Sequence, residues 1–255
     1  MKILEVPSPH MNERLLPINS IIIHYTDMPT AEQALAWLSN PASNVSSHYL
    51  IDEKGCIYQL IPEDKRAWHA GESYWQGCSD LNSCSIGIEL ANPGHRYGYL
   101  PFPDPQIEAL MRLCQDIMTR WDIPASRILG HSDIAPRRKQ DPGHLFPWET
   151  LAREGLGLWL PFFSCHPRES EDPANDWISA YAGMTLEGSP NKASSNAKSI
   201  SLTEALNKIG YETVSPTHSL LAFQRHFQPH KVDGVADEET VSLLQALLNL
   251  QNKHI

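Results

Sequence analysis

From Ile21 to about Trp148 the chain switches repeatedly between short apolar runs and longer runs of helical period, and this alternation confines it to a sheet covered by helices. Ile21-Ile22-Ile23-His24 reads as a buried strand with His24 at its end, and Thr30 to Asn40 as a helix capped by Thr30, with apolar Ala34, Leu35, Trp37 and Leu38. His48 to Ile51, the turn Asp52-Glu53-Lys54-Gly55 and Cys56 to Leu60 predict a β-hairpin. Ser85 to Leu90 alternates with period two, placing Ile86, Ile88 and Leu90 on one face and Ser85, Gly87 and Glu89 on the other. Gly87, inside that strand, is expected to leave space for a ligand or another backbone. Asp104 is a cap candidate for a core helix with Pro105 first, running through Ile107, Leu110, Leu113, Cys114, Ile117 and Met118. Ile128-Leu129 then suggests a short strand that delivers His131 before a Pro-rich loop containing Lys139 and Asp141. The expected fold class is α/β (α+β), a central mixed β-sheet flanked by helices.

Length permits one substantial domain and a small one, since the chain has 255 residues. The main domain is expected over residues 1–163. Over 164–199 the pattern dissolves into Pro, Ser, Asn, Glu and Gly, which reads as a mobile linker or an inserted element. Within it, Trp177 to Thr185 with the preceding His166 to Ser170 resembles the translated palindromic repeat elements that insert in frame into bacterial genes. Residues 200–255 hold three helical patterns, Leu202 to Ile209, Leu220 to Phe227 and Glu239 to Leu250, with a turn at Asp233-Gly234, and predict a small three-helix bundle.

A formal net charge of -10 excludes a polyanion partner such as nucleic acid, which needs clustered Lys and Arg. No run approaches the roughly 18 apolar residues of a transmembrane segment. Met1 to Pro7 lacks the apolar core of a signal peptide, which points to the cytoplasm. The five cysteines, Cys56, Cys78, Cys84, Cys114 and Cys165, are too sparse for a disulfide-stapled domain, and pairing of Cys78 with Cys84 is left open.

His24, His131 and Asp141 propose a two-histidine, one-carboxylate site for Zn²⁺, a ligand set that leaves an open position for catalysis. Both histidines end a strand and open a loop, where functional residues concentrate. By residue type alone, His48, His69, His95 and His144 qualify equally, and Asp141-Pro142-Gly143 is also an ordinary turn sequence. The residues by themselves leave that choice open.

Six segments in order carry a resemblance that makes the choice: Ile21 to Thr26, Ser47 to Ile51, Ala67 to Gly71, Ser85 to Glu89, Gly130 to Pro136 and Arg138 to Gly143. Together they resemble the N-acetylmuramoyl-L-alanine amidase type 2 family, most closely its anhydro-muropeptide branch, whose fold is shared by peptidoglycan recognition proteins. The likeness covers about the first 160 residues. It implies zinc ligation by His24, His131 and Asp141, with Glu89 and Lys139 as catalytic partners; Trp68 and His69 match substrate-contacting positions, and Tyr25 borders the metal. The implied reaction cuts the amide between N-acetylmuramic acid, including its 1,6-anhydro form, and the L-alanine of the stem peptide in peptidoglycan or muropeptides. Leu220 to Phe227, Val232 to Asp237 and Thr240 are similar to the three-helix peptidoglycan-binding module appended to such amidases, which favours the cell envelope where the missing export signal favours the cytoplasm, and the compartment stays open between them.

On this reading Glu89 moves the proton of the attacking water to the leaving amine, and Lys139 faces the developing oxyanion. Two rivals belong to other classes. A catalytically silent binding module would lack a zinc ligand, whereas all three are present here. A cysteine peptidase would need Cys84 or Cys56 beside a histidine in an activating setting.

Overall fold

We describe residues 2–160 and 200–252 of the chain in a computed structural model. The expected linker at 164–199 lies outside the described residues. The strands are β1 (Ile3–Glu5), β2 (Met11–Glu13), β3 (Ser20–Tyr25), β4 (Tyr49–Ile51), β5 (Ile57–Gln59), β6 (Lys65–Ala67), β7 (Ser85–Leu90) and β8 (Ile128–Gly130). The helices are α1 (Ala31–Leu38), α2 (Leu81–Cys84), α3 (Gly94–Tyr97), α4 (Asp104–Trp121), α5 (His131–Ile134), α6 (Trp148–Arg153), α7 (Leu202–Ile209), α8 (Pro216–Phe227) and α9 (Glu238–Asn252).

Six strands form one mixed sheet in the order β1-β5-β4-β7-β3-β8, with only the β4–β5 hairpin antiparallel, while β2 and β6 pair separately. The three isoleucines of β3 are wholly buried because both faces of the sheet are covered, which is why an apolar run rather than an alternation marks this strand. Ile21 and Ile23 pack with Leu110, Leu113 and Ile117 of α4. Ile22 points the other way, into a core with Trp75, Leu129 and Ile134 that also takes in Leu206, Tyr211, Phe223, Phe227 and Leu244. The C-terminal helices therefore share a core with the back of the sheet.

Local chemistry accounts for the boundaries. In α1 the Thr30 side chain accepts from the Gln33 amide, and Ala34 and Leu38 turn inward, but Trp37 stays 45% exposed, so the apolar stripe is narrower than expected. The hairpin turn is held by the Asp52 carboxylate, which accepts from the amides of Lys54 and Cys56. Gly55 there has φ +80°, and a Cβ would lie 2.5 Å from the Pro105 carbonyl oxygen, so glycine is required twice over. Helix α4 begins one residue earlier than the sequence suggested: Pro103 caps it, its carbonyl accepting from the Gln106 and Ile107 amides, and Asp104 becomes the first-turn acid. Among the described residues no helix is long and apolar enough to cross a membrane. Cys78 and Cys84 bring their sulfurs to 3.6 Å as free thiols.

Candidate metal centre

Three elements deliver one donor each. In the parallel ladder of β3 with β7, His24 stands opposite Glu89, so both reach the same end of the sheet. Strand β8 runs beside β3 and hands its chain to α5 at His131. The loop beyond α5 returns Asp141, whose backbone carbonyl accepts from the Ser132 amide at 2.8 Å. The result is a compact triangle: His24 Nδ1 to His131 Nδ1 2.9 Å, His131 Nδ1 to Asp141 Oδ2 3.0 Å and His24 Nδ1 to Asp141 Oδ2 3.1 Å, with all three residues buried.

Proton positions follow from what surrounds the rings. His131 Nε2 lies 3.1 Å from the Ala70 carbonyl, which only accepts, so Nε2 carries the hydrogen and Nδ1 a lone pair. Ser85 donates its hydroxyl to the Leu81 carbonyl; its oxygen therefore accepts from His69 Nε2. His69 Nδ1 is then an acceptor, taking the Nε2 hydrogen of His24 at 3.0 Å, and His24 Nδ1 is left with a lone pair as well. Two imidazole lone pairs and a carboxylate oxygen converge with no hydrogen between them, an arrangement that a cation stabilises and that repels itself otherwise. Tetrahedral zinc with bonds of about 2.0–2.1 Å places its ligand atoms about 3.3 Å apart, within a few tenths of an ångström of the observed edges.

Electrostatics agrees with this donor set. Burial, reinforced by His131, lowers the His24 pKa to about 4, keeping the ring neutral as a ligand must be. Burial acts to raise Asp141, but the facing His131 and His24 overcome it and hold the carboxyl well below its usual range. Glu89 is pushed well above the usual carboxylate range by burial and by the Asp141 charge, against the opposing pull of Lys139. Its Oε2 is buried with no hydrogen-bond partner among the described residues.

A groove of about 550 Å³ opens over the triangle, lined by Glu89, Tyr25, Trp68 and Lys139 together with Trp37, His95, Arg96 and Arg138. Lys139 makes no ion pair among the described residues, and the Tyr25 hydroxyl oxygen lies 2.8 Å from His95 Nδ1. Trp68 is anchored through Nε1 to Asn12 and forms a wall. His69, matched to a substrate contact, has both ring nitrogens engaged as above and lines the groove while only 8% exposed. It also fills the room beside Gly87, where a Cβ would lie 2.5 Å from His69 Cγ, so that space belongs to a side chain rather than to a ligand or a backbone. Of the other candidate histidines, His48 holds the Gly87 amide, and His144 lies against the outer His95–Tyr99 stack. Sequence reasoning missed Arg138, whose guanidinium binds the carbonyls of Ala70 and Glu72 at the groove edge. Neither candidate cysteine offers an activated thiol: burial and Cys78 raise Cys84 to about 12, and Asp52 raises Cys56.

Comparison with known proteins places this geometry. The profile of a family described as N-acetylmuramoyl-L-alanine amidase matches residues 14–144. The N-acetylmuramoyl-L-alanine amidase AmiD of Escherichia coli K12 is 37% identical over 249 residues, covering 91% of this chain and 82% of the relative. The 1,6-anhydro-N-acetylmuramyl-L-alanine amidase AmpD of Enterobacter cloacae is 36% identical over 167 residues, 57% of this chain and 86% of its own length. Among solved structures, AmiD from E. coli in complex with the substrate anhydro-N-acetylmuramic acid-L-Ala-D-gamma-Glu-L-Lys superposes with TM-score 0.72 at 36% identity, covering 94% of this chain and 92% of that one. AmpDh3 from Pseudomonas aeruginosa in complex with anhydromuramic pentapeptide gives TM-score 0.72 at 32% identity, with 92% of each chain covered.

Proposed function

The chain belongs to the N-acetylmuramoyl-L-alanine amidase family, and from that premise we propose that it is a zinc-dependent hydrolase cutting the amide between N-acetylmuramic acid, including the 1,6-anhydro form, and the L-alanine of the stem peptide. The observation that carries the reading is the buried triangle of His24 Nδ1, His131 Nδ1 and Asp141 Oδ2 with Glu89 beside it in one groove. Zinc bound there supplies Lewis-acid polarisation of a carbonyl and a water whose pKa falls to about 7.

The chain's own residues do the rest. His69 and the Ala70 carbonyl fix the tautomers of His24 and His131, so both Nδ1 atoms face inward. Glu89 takes the proton of the attacking water at its partnerless Oε2 and returns it to the leaving L-alanine nitrogen; a carboxyl of raised pKa suits a group that must both accept and donate near neutrality. Lys139, which lines the groove and makes no ion pair among the described residues, sets a positive charge where the tetrahedral oxygen becomes negative. Tyr25 and Trp68 form groove walls that hold the substrate. Helices α7 to α9, similar in sequence to a peptidoglycan-binding module, would add affinity for the polymer.

The test is product analysis by mass spectrometry on soluble 1,6-anhydro-muropeptide and on intact sacculi. The expected product is free stem peptide with a new L-alanine amino terminus, lost with chelator and restored by Zn²⁺. No stem peptide from either substrate with zinc present would overturn the reading.

A further inference from the structure

Asp133 lies two residues beyond the metal ligand His131, on the same short helix α5, and is 1% exposed. A buried carboxylate demands donors, and this one has three. Oδ2 accepts from the Gly130 amide at 2.7 Å and from His226 Nδ1 at 2.8 Å, and Oδ1 accepts from the Tyr211 hydroxyl at 2.8 Å. The first bond closes the turn from β8 into α5, with His131 held between its two ends. The other two come from the C-terminal helical unit, 78 and 93 positions along the chain.

Neither distant donor is a loose surface group. The His226 ring is stacked between Trp148, at 3.8 Å and 13°, and Phe227, at 4.0 Å and 6°. Tyr211 is fully buried, with its ring edge-on to Trp75 at 5.0 Å. The same α5 turn is tied on its other side to the second loop ligand, because the Ser132 amide donates to the Asp141 carbonyl. A shift of Asp133 therefore moves the backbone that sets both His131 and Asp141.

We propose that Tyr211 and His226 are positioning residues for the metal centre, acting through Asp133, so that the C-terminal helices complete the site as well as whatever polymer contact they make. The inference rests on the zinc reading above. It concerns residues outside the 14–144 segment that the family profile covers.

The test uses the full chain and reads metal affinity rather than turnover. Tyr211→Phe removes one hydroxyl, and His226→Phe keeps an aromatic stack while deleting the donor. His226→Asn returns an amide donor near the Nδ1 position. The Zn²⁺ dissociation constant is measured by competition with a chromogenic chelator, at a temperature where circular dichroism shows each variant folded. Tyr211→Phe and His226→Phe should each weaken zinc by about tenfold, at the lower end of the loss typical for outer partners of metal ligands. His226→Asn should recover part of that loss, and the surface control Lys231→Ala, which breaks only exposed ion pairs, should bind as the parent does. A melting temperature lowered with zinc affinity unchanged in both Phe variants would overturn the proposal, leaving the contacts as mere docking. Should His226→Phe not fold, Tyr211→Phe decides alone. Parent protein that binds no zinc at all fails the zinc reading itself, a result distinct from variants that bind as tightly as the parent.

Discussion

Every nitrogen of His24, His69 and His131 faces a defined neighbour, whereas the Glu89 Oε2 atom is buried and faces none. An unpartnered buried oxygen costs stability, about 1–3 kcal/mol in typical cases, and is expected where it serves a reaction rather than the fold. Glu89→Gln should therefore leave Zn²⁺ binding near that of the parent while reducing turnover by about 10²–10⁴-fold, the range associated with loss of a general acid–base. Zinc titration and stem-peptide release, measured on the same preparation, check this; a Gln variant retaining most of its activity would remove Glu89 from the proton-transfer role. The proposed ligands His24, His131 and Asp141 were legible only through the ordered amidase motifs that contain them, since by residue type alone His48, His69, His95 and His144 qualified equally. The role of His69 was not legible, since its pairing with His24 and Ser85 depends on three separate segments meeting. Asp133 lay in plain view within Gly130 to Pro136 and still carried no readable role, because two of its donors are remote in sequence.

Among the elements, β7 was the most readable, since its period of two sorts Ile86, Ile88 and Leu90 to the α4 core and Ser85, Gly87 and Glu89 to the site. What the alternation could not reveal is the neighbour beside Gly87, the His69 ring from the loop after β6. Gly87→Ala would put a Cβ 2.5 Å from His69 Cγ and 2.6 Å from its Nδ1. The ring is pinned at both nitrogens and cannot swing away without releasing His24. The expected cost is about 1–3 kcal/mol of stability, as for other overpacked cores, accompanied by weaker zinc binding. Denaturant melts with and without metal measure both, and an Ala variant equal to the parent in each would show that the loop has slack. The start of α4 illustrates a smaller limit: Asp104 and Pro103 both satisfy the chemistry of a helix start, and only the carbonyl bonds from Gln106 and Ile107 distinguish them.

Over the whole molecule, two quantities depend on how the layers close. The core behind the sheet mixes Ile22, Leu129 and Ile134 with Leu206, Phe223 and Leu247, so the boundary near residue 200 is not a boundary of apolar packing. Removing residues 200–255 should uncover several large side chains at about 1.5–3 kcal/mol each and strip Asp133 of two donors. Such a truncated chain is expected to melt well below the parent and to bind a hydrophobic dye; an unchanged melting temperature would argue for separable units. The second quantity is the response to acid. His48 is completely buried, its Nδ1 accepting from the Gly87 amide, and burial, with the nearby Arg14 charge, lowers its pKa from 6.5 to about 3. Below pH 6.5 the unfolded chain takes up a proton that the folded ring refuses, so stability is fully present above that pH and is lost as pH falls towards about 3. In the metal-free protein His24, its pKa lowered to about 4, and His69, lowered well below its usual range, act in the same direction, whereas Glu89, raised well above the usual carboxylate range by burial and the Asp141 charge, opposes them. Each such histidine contributes a slope of up to about 1.4 kcal/mol per pH unit. Moving the metal-free protein from pH 7 to pH 4.5 should thus lower its melting temperature by about 5 °C or more, the scale set by the entropy of unfolding for a chain of this size. Calorimetry across that range checks the sign as well as the size: a melting temperature that held steady or rose on acidification would mean that the exclusion of protons from these rings does not outweigh the proton held by Glu89.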